Sequence, residues 1–315
     1  MTTSVLIAIA VAVAALLLLR YLNPRLLVRW LLLATRRLLG FRTRFIDVGD
    51  VTWSFLEGGR RSADTVVLVH GFGADKDNWP MYGRRLAREY HVIIPDLPGF
   101  GESSKDPAAS YDGATQAARL LRFIDALQLE RVHLAGNSMG GLIALRFALA
   151  YPERLISLAL LDNAGVLGTK RSELELAAAR GENPLTVSSV AEYDELLSFV
   201  MRKPPPLPGV VKQVLADNAI AHQTLWDSIF WPLRDEMLNR PLNEQLGDIK
   251  APTLVMWGRH DRLIDVSCVE VLAAGLPDNE CLVFEGIGHL PMLELPGSSS
   301  AAHLAHLRRN AAATT

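Results

Sequence analysis

The stretch Gly136-Asn137-Ser138-Met139-Gly140-Gly141 follows the apolar run Val132-His133-Leu134-Ala135 and precedes Leu142-Ile143-Ala144-Leu145-Arg146-Phe147-Ala148-Leu149. An apolar run, then G-x-S-x-G, then a good helix former predicts a strand that turns sharply into a helix, with the serine lifted out at the tip of the turn. Such a nucleophile elbow has no room for side chains on either flank of a strained serine backbone, which accounts for Gly136 and Gly140. The helix has its stop near Tyr151-Pro152, because the residue before a proline is pushed out of helical conformation. An ordinary Gly/Ser turn would need none of this context.

On either side of that point, strand patterns alternate with helix patterns. Phe45-Ile46-Asp47-Val48 and Val51-Thr52-Trp53-Ser54-Phe55-Leu56 read as an antiparallel edge pair around Gly49-Asp50. Thr65-Val66-Val67-Leu68-Val69 and Val92-Ile93-Ile94-Pro95 are continuously apolar, as expected of strands covered on both faces. They end in His70-Gly71-Phe72-Gly73 and Asp96-Leu97-Pro98-Gly99-Phe100-Gly101. A helix is expected over 114–127 and a further strand over 156–161, so the segment predicts a mostly parallel sheet with helices on both faces. The alternation breaks over 164–250, where helical patterns at 173–180, 190–201, 210–222 and 225–231 are separated by Asn183-Pro184 and by a proline-rich run at 203–209. An insertion of that size between two strands predicts a helical cap over the carboxyl edge of the sheet. Strands resume at 253–257 and 281–284 with a helix near 269–274 between them. The chain thus divides into an N-terminal segment (1–44), a first core part (45–163), the cap (164–250) and a second core part (251–315).

A serine hydroxyl is a weak nucleophile near neutral pH and needs a base within hydrogen-bond reach, itself held by a third group. His289, in Gly286-Ile287-Gly288-His289 after the last strand, would reach the same sheet edge as Ser138. Asp261, in Gly258-Arg259-His260-Asp261 just past the preceding strand, would orient the imidazole. The resulting order Ser, Asp, His is the one that this elbow uses in known folds. Asp162, at the end of the strand after the elbow, is a rival for the acid. Acyl transfer also needs donors for the developing oxyanion. The backbone N–H of Met139 is one candidate and that of Phe72 the other, with His70 read as a support for loop geometry.

Residues 5–19 are apolar without interruption, and continued through Tyr21 and Leu22 the run spans ~27 Å at ~1.5 Å per residue, close to a bilayer core. No Lys or Arg precedes it, whereas Arg20, Arg25, Arg29, Arg36, Arg37, Arg42 and Arg44 follow. The pattern predicts a single transmembrane anchor with the rest of the chain on the cytoplasmic side. Over 21–40, Arg25, Arg29 and Arg36 fall on one side of a helix and Leu22, Leu26, Trp30, Leu33, Ala34 and Leu38 on an apolar arc. That arrangement suits a helix in the headgroup plane with its arginines on anionic lipid, and the same periodicity also permits an amphipathic helix packed on the body of the protein. A net charge of -2 gives no reason to expect a nucleic-acid partner. The two cysteines, Cys268 and Cys281, have no metal-ligand spacing, and no cofactor motif occurs.

Taken together, the five motifs around positions 70–73, 96–101, 136–141, 258–261 and 286–289 resemble the α/β-hydrolase superfamily over residues 45 to about 295. The N-terminal apolar span and Lys76-Asp77-Asn78-Trp79 are similar to membrane-anchored monoacylglycerol lipases and their bacterial lipase relatives. The resemblance implies an α/β-hydrolase fold with a mostly parallel eight-stranded sheet, and hydrolysis of fatty-acyl esters with Ser138, Asp261 and His289 as triad. Leu196, Leu197, Phe199, Leu225, Trp226, Phe230 and Trp231 of the cap are then expected to line an acyl tunnel or to form its core. Carbon-carbon hydrolysis of ring-cleavage products and a non-catalytic binding role are the alternatives on the same fold. The segment after Glu294 departs from the pattern: Pro296-Gly297-Ser298-Ser299-Ser300 and an Ala-rich, histidine-containing stretch stand where an apolar final helix is usual.

Overall fold

The computed structural model describes residue 5 and residues 21–311, so the predicted transmembrane run lies almost wholly outside the described residues. Among the described residues no helix is long and apolar enough to cross a membrane. The strands are β1 (Phe41–Val48), β2 (Val51–Gly59), β3 (Thr65–Val69), β4 (His91–Pro95), β5 (Val132–Asn137), β6 (Leu155–Leu161), β7 (Thr253–Gly258) and β8 (Asn279–Phe284). They form one eight-stranded sheet in the order β1-β2-β4-β3-β5-β6-β7-β8. β1 and β2 make a hairpin about Gly49-Asp50 with Val48 opposite Val51, and β2 runs antiparallel to β4. All later pairings are parallel. β3, β4 and β5 are buried at every position, because a parallel sheet with helices on both faces has no solvated side.

Alternation along β3 shows the two faces. Val67 and Val69 join a core with Trp53, Phe123, Leu142 and Trp257, whereas Val66 and Leu68 join another with Phe41, Trp79, Tyr82 and Leu304. Both follow from the two-residue repeat of a strand.

Helix α1 (Pro24–Leu38) is capped by the Asn23 side chain, which accepts from the Leu26 N–H at 3.0 Å. It packs against β1 and a cap helix, and it corrects one expectation. Arg36 does not face lipid: it is buried, donating to both carboxylate oxygens of Asp77 at 2.7 and 2.5 Å and to Thr43 at 3.0 Å. Leu27 and Val28 are the apolar residues that turn inward, while Leu22, Leu26, Trp30 and Leu38 stay exposed. A cationic side chain with a bidentate carboxylate partner is stable inside, so helical periodicity alone assigned it to the wrong surface.

The layers are completed by α2 (Pro80–Leu86), α3 (Gly113–Ala126) and α4 (Met139–Ala150). The cap between β6 and β7 holds α5 (Glu173–Ala179), α6 (Val190–Val200), α7 (Gly209–Ala221) and α8 (Gln223–Asn239). α8 runs eight residues beyond the expected stop at Trp231, straight through Pro232. Its distal half is held by tertiary bonds: buried Glu236 accepts from the Gly113 N–H at 2.9 Å and pairs with Arg146 at 2.8 Å. Those contacts outweigh the lost intrahelical bond and the clash at proline. α9 (Cys268–Gly275), α10 (Pro291–Glu294) and α11 (Pro296–Ala311) follow.

α11 docks despite its polar composition. Buried Ser299 donates to Pro291 O at 3.1 Å and Leu295 O at 2.8 Å, and His303 Nδ1 pairs with the Tyr82 hydroxyl at 2.8 Å. On the same face His133 pairs with Ser157 Oγ at 2.8 Å. Burial, then its neighbour His306, pushes the His133 imidazole down to about 4. Burial together with His306 and His133 holds His303 well below the usual histidine range. These rings are neutral in the fold but take up protons in the unfolded chain near pH ~6.5. Their depressed folded values mean that stability is complete above that pH and drains away as pH falls from ~6.5 toward ~4. His133 alone should contribute on the order of 2–3 kcal/mol to that loss. The urea midpoint is therefore expected to fall between pH 7 and pH 5, and to fall less in His303→Gln. An unchanged midpoint in the wild type contradicts the account.

Candidate active site

Ser138 sits between β5 and α4 at φ 56 and ψ -121, a conformation that costs an L-residue of order 1–3 kcal/mol and persists only where the surroundings impose it. A Cβ on Gly136 would lie 2.2 Å from the Gly140 carbonyl oxygen, and one on Gly140 would lie 2.5 Å from the carbonyl oxygens of Val69 and His70. Strand, elbow and the turn after β3 thus meet backbone to backbone. A Cβ on Gly71 would come within 3.0 Å of Ser138 Cβ, so the turn carrying Phe72 passes directly over the serine. Met139 opens α4, and the first N–H groups of a helix have no intrahelical acceptor. Phe72 and Met139, the two residues singled out from the sequence, line the same cavity as Ser138.

His289 Nδ1 lies 2.7 Å from Asp261 Oδ2, both side chains being buried. Asp261 Oδ1 accepts from the N–H groups of Leu263 at 2.8 Å and Ile264 at 3.1 Å. A carboxylate so fixed leaves His289 Nδ1 to carry the proton and Nε2 to serve as base. Nε2 is buried without a hydrogen-bond partner, so no bond to Ser138 is formed in this state; catalytic hydrogen bonds often tighten only with substrate. Asp162, the rival acid, does not hold His289. Its Oδ1 accepts from the Gly258 N–H at 2.8 Å, which leaves it close beside Asp261.

Other supports were not legible in the sequence. Asn137 donates to Leu161 O at 3.0 Å and to His289 O at 3.1 Å, tying the elbow to the histidine loop. Glu294 accepts from the Gly288 N–H at 2.8 Å and from the Lys203 N–H at 2.9 Å. The His289 N–H in turn donates to Val200 O at 3.0 Å, at the end of α6, so the cap directly positions that loop. His70, read as a loop support, accepts from the Leu97 N–H through Nε2 at 2.9 Å and donates from Nδ1 to Gly71 O at 2.8 Å. Burial holds its imidazole below the usual range.

A buried charge cluster stands behind those two turns. Lys76 Nζ lies 2.5 Å from Asp96 Oδ2 and 2.7 Å from Glu102 Oε2. Asp96 also accepts from the N–H groups of Lys76 at 2.8 Å and Glu102 at 2.7 Å. Burial by itself would lower the Lys76 amine, but the Asp96 and Glu102 carboxylates raise it above its ordinary value.

Ser138 opens into a narrow cavity of about 80 Å³ lined mainly by apolar side chains, among them Phe72, Leu142, Val166, Leu174, Phe230, Leu233, Met237, Leu238 and Leu263, with Glu175 and Arg234 as its charged members. Of the seven cap residues expected to line a tunnel or to form the cap core, Phe230 lines the cavity. Trp226 is instead buried against Phe100 and donates from Nε1 to Gly99 O at 3.2 Å. α8 contributes positions 230, 233, 234, 237 and 238 to the lining, four of them beyond the expected end at Trp231.

The chain belongs to the α/β hydrolase fold family, whose model matches residues 64–296. It is 36% identical to Lipase 1 of Psychrobacter immobilis over 76% of this chain and 75% of that protein. It is 30% identical to monoacylglycerol lipase ABHD6 of Rattus norvegicus over 83% of this chain and 80% of that protein. Among solved structures it resembles a membrane phospholipase A described as a bacterial virulence factor, at 41% identity and a TM-score of 0.90, covering 98% of this chain and 99% of that one.

Proposed function

We propose that this protein is a membrane-bound serine hydrolase of fatty-acyl esters, with monoacylglycerol as its substrate. The observation that carries the reading is the opening of Ser138 into a predominantly apolar cavity, together with a histidine already oriented by Asp261. The enclosed space is narrow, about 80 Å³, so it is the apolar lining and not the volume that argues for an acyl chain. His289 Nε2 takes the Ser138 Oγ proton as Oγ attacks the ester carbonyl, and the N–H groups of Phe72 and Met139 hold the oxyanion. His289 returns that proton to the departing glycerol oxygen. Water, deprotonated by the same nitrogen, then releases the fatty acid and restores Ser138.

A phospholipid is the second reading, favoured by the 41% identity to the membrane phospholipase A. Both substrates offer one acyl chain to the cavity and differ in what remains outside. Attachment to the bilayer through residues 5–22, with the hydrolase on the cytoplasmic side, keeps the site beside either substrate. The exposed apolar side chains of Leu22, Leu26, Trp30 and Leu38 support such a placement for α1.

The test is release of fatty acid by the full-length chain in isolated membranes, from monoacylglycerol, from phospholipid and from a ring-cleavage dienoate. Activity should sediment with membranes, leave them in detergent and be greatest on monoacylglycerol. Dominant dienoate turnover, or activity that stays in the supernatant, would count against the proposal.

A further inference from the structure

We infer that Asp162 is a positioning residue of the active site: a neutral carboxylic acid whose Oδ2 proton is donated to the Asp261 carboxylate. The inference rests on the Ser138-His289-Asp261 reading and goes beyond it by adding a fourth group behind the acid.

The argument is one of hydrogen-bond accounting. Asp162 closes β6 with φ at 44, in the left-handed region that aspartate tolerates better than most residues. Its N–H donates to Met256 O at 3.0 Å and its Oδ1 accepts from the Gly258 N–H at 2.8 Å. The side chain is fully buried, and Oδ2 receives no donor. Asp162, Asp261 and His289 each place one polar atom within 4.8 Å of the others. Around Asp162 the groups that carry or change charge are therefore Asp261 after β7, His289 after β8 and Glu294 on α10, two of them carboxylates.

An ionised Asp162 would bury a negative charge next to Asp261 with one oxygen unsatisfied, a costly arrangement. A protonated Asp162 removes the repulsion and turns the orphaned oxygen into a donor, with the Asp261 carboxylate, within 4.8 Å, as the neighbouring acceptor. Burial first, and the Asp261 charge second, push the Asp162 carboxyl well above the usual carboxylate range, in agreement with the geometry. Asp261 is then held by Leu263, Ile264, His289 and Asp162 together. Donation from Asp162 draws charge off Asp261 and so moderates the pull of that carboxylate on the imidazolium of His289.

The consequence has a sign. Asp162→Ala removes the donor, leaves more charge on Asp261 and favours protonated His289. The acidic limb of kcat/KM, or of the rate at which a fluorophosphonate labels Ser138, should move up by about half a pH unit or more. Asp162→Asn keeps a neutral donor toward Asp261 and should hold the limb at its wild-type position. If Asp162 were ionised, both variants would delete a negative charge and move the limb down. A limb that moves down in either variant, or stays unmoved in the alanine variant, overturns the inference. Should the alanine variant fail to fold, the asparagine variant decides by the same criterion. Labelling that persists in Ser138→Ala would instead remove the triad itself, so the two failures are distinguishable.

Discussion

Replacing Ser138 with alanine is expected to lower kcat on a fatty-acyl ester by about 10⁴- to 10⁶-fold, with little change in stability. The loss follows from removal of the attacking atom, since the remaining groups can still bind the substrate and polarise its carbonyl. Fluorophosphonate labelling should vanish with it, because the same Oγ is the atom labelled, and a non-catalytic binding protein would label in neither form. The companion variant Asp261→Asn is expected to cost about 10⁴-fold, because an amide that donates to Nδ1 turns the imidazole into the wrong tautomer. The 2.7 Å contact between His289 and Asp261 makes that prediction specific to position 261. A large loss in Asp162→Asn beside full activity in Asp261→Asn would reverse the assignment of the acid.

Much of this architecture could be read from the chain because its strongest constraints are local. The elbow depends on glycines at 136 and 140, where any Cβ would collide with backbone, and a collision with backbone admits no other residue. The buried strands are equally legible, because continuous β-branched runs have no alternative use in a sheet covered on both faces. What escaped the sequence is what depends on distant partners. Arg36 looks like a surface arginine until Asp77, 41 residues away, is brought beside it. α8 looks finished at Pro232 until Arg146 and Gly113 hold Glu236 in place. Because a helix ending there stops short, Leu233, Met237 and Leu238 are not among the residues expected in the lining, and Trp226 takes the core role that the sequence leaves open. Asn137 lies inside the recognised motif, yet its role as the link to the His289 loop rests on a contact spanning 152 residues.

The largest stability effect is expected at Lys76, whose partners are Asp96 and Glu102. Lys76→Met keeps a long side chain but leaves the fully buried Asp96 carboxylate without its cation. Breaking one partner of a buried pair costs about 3–5 kcal/mol, since the remaining charge stays desolvated and uncompensated. For a domain of this size that loss corresponds to a fall in Tm of about 10 °C. Asp96 also anchors the N–H groups of Lys76 and Glu102, so the turn at 96–101 loosens with it. That turn accommodates His70 through Leu97 and Trp226 through Gly99. Activity below the new Tm should therefore drop as well, through kcat more than KM, because the 70–73 turn that carries the proposed Phe72 donor is held through His70 by Leu97. Adding Asp96→Asn to Lys76→Met removes the stranded charge and should recover part of the stability. A Tm for Lys76→Met within 2 °C of wild type would mean that Lys76 is not what neutralises Asp96.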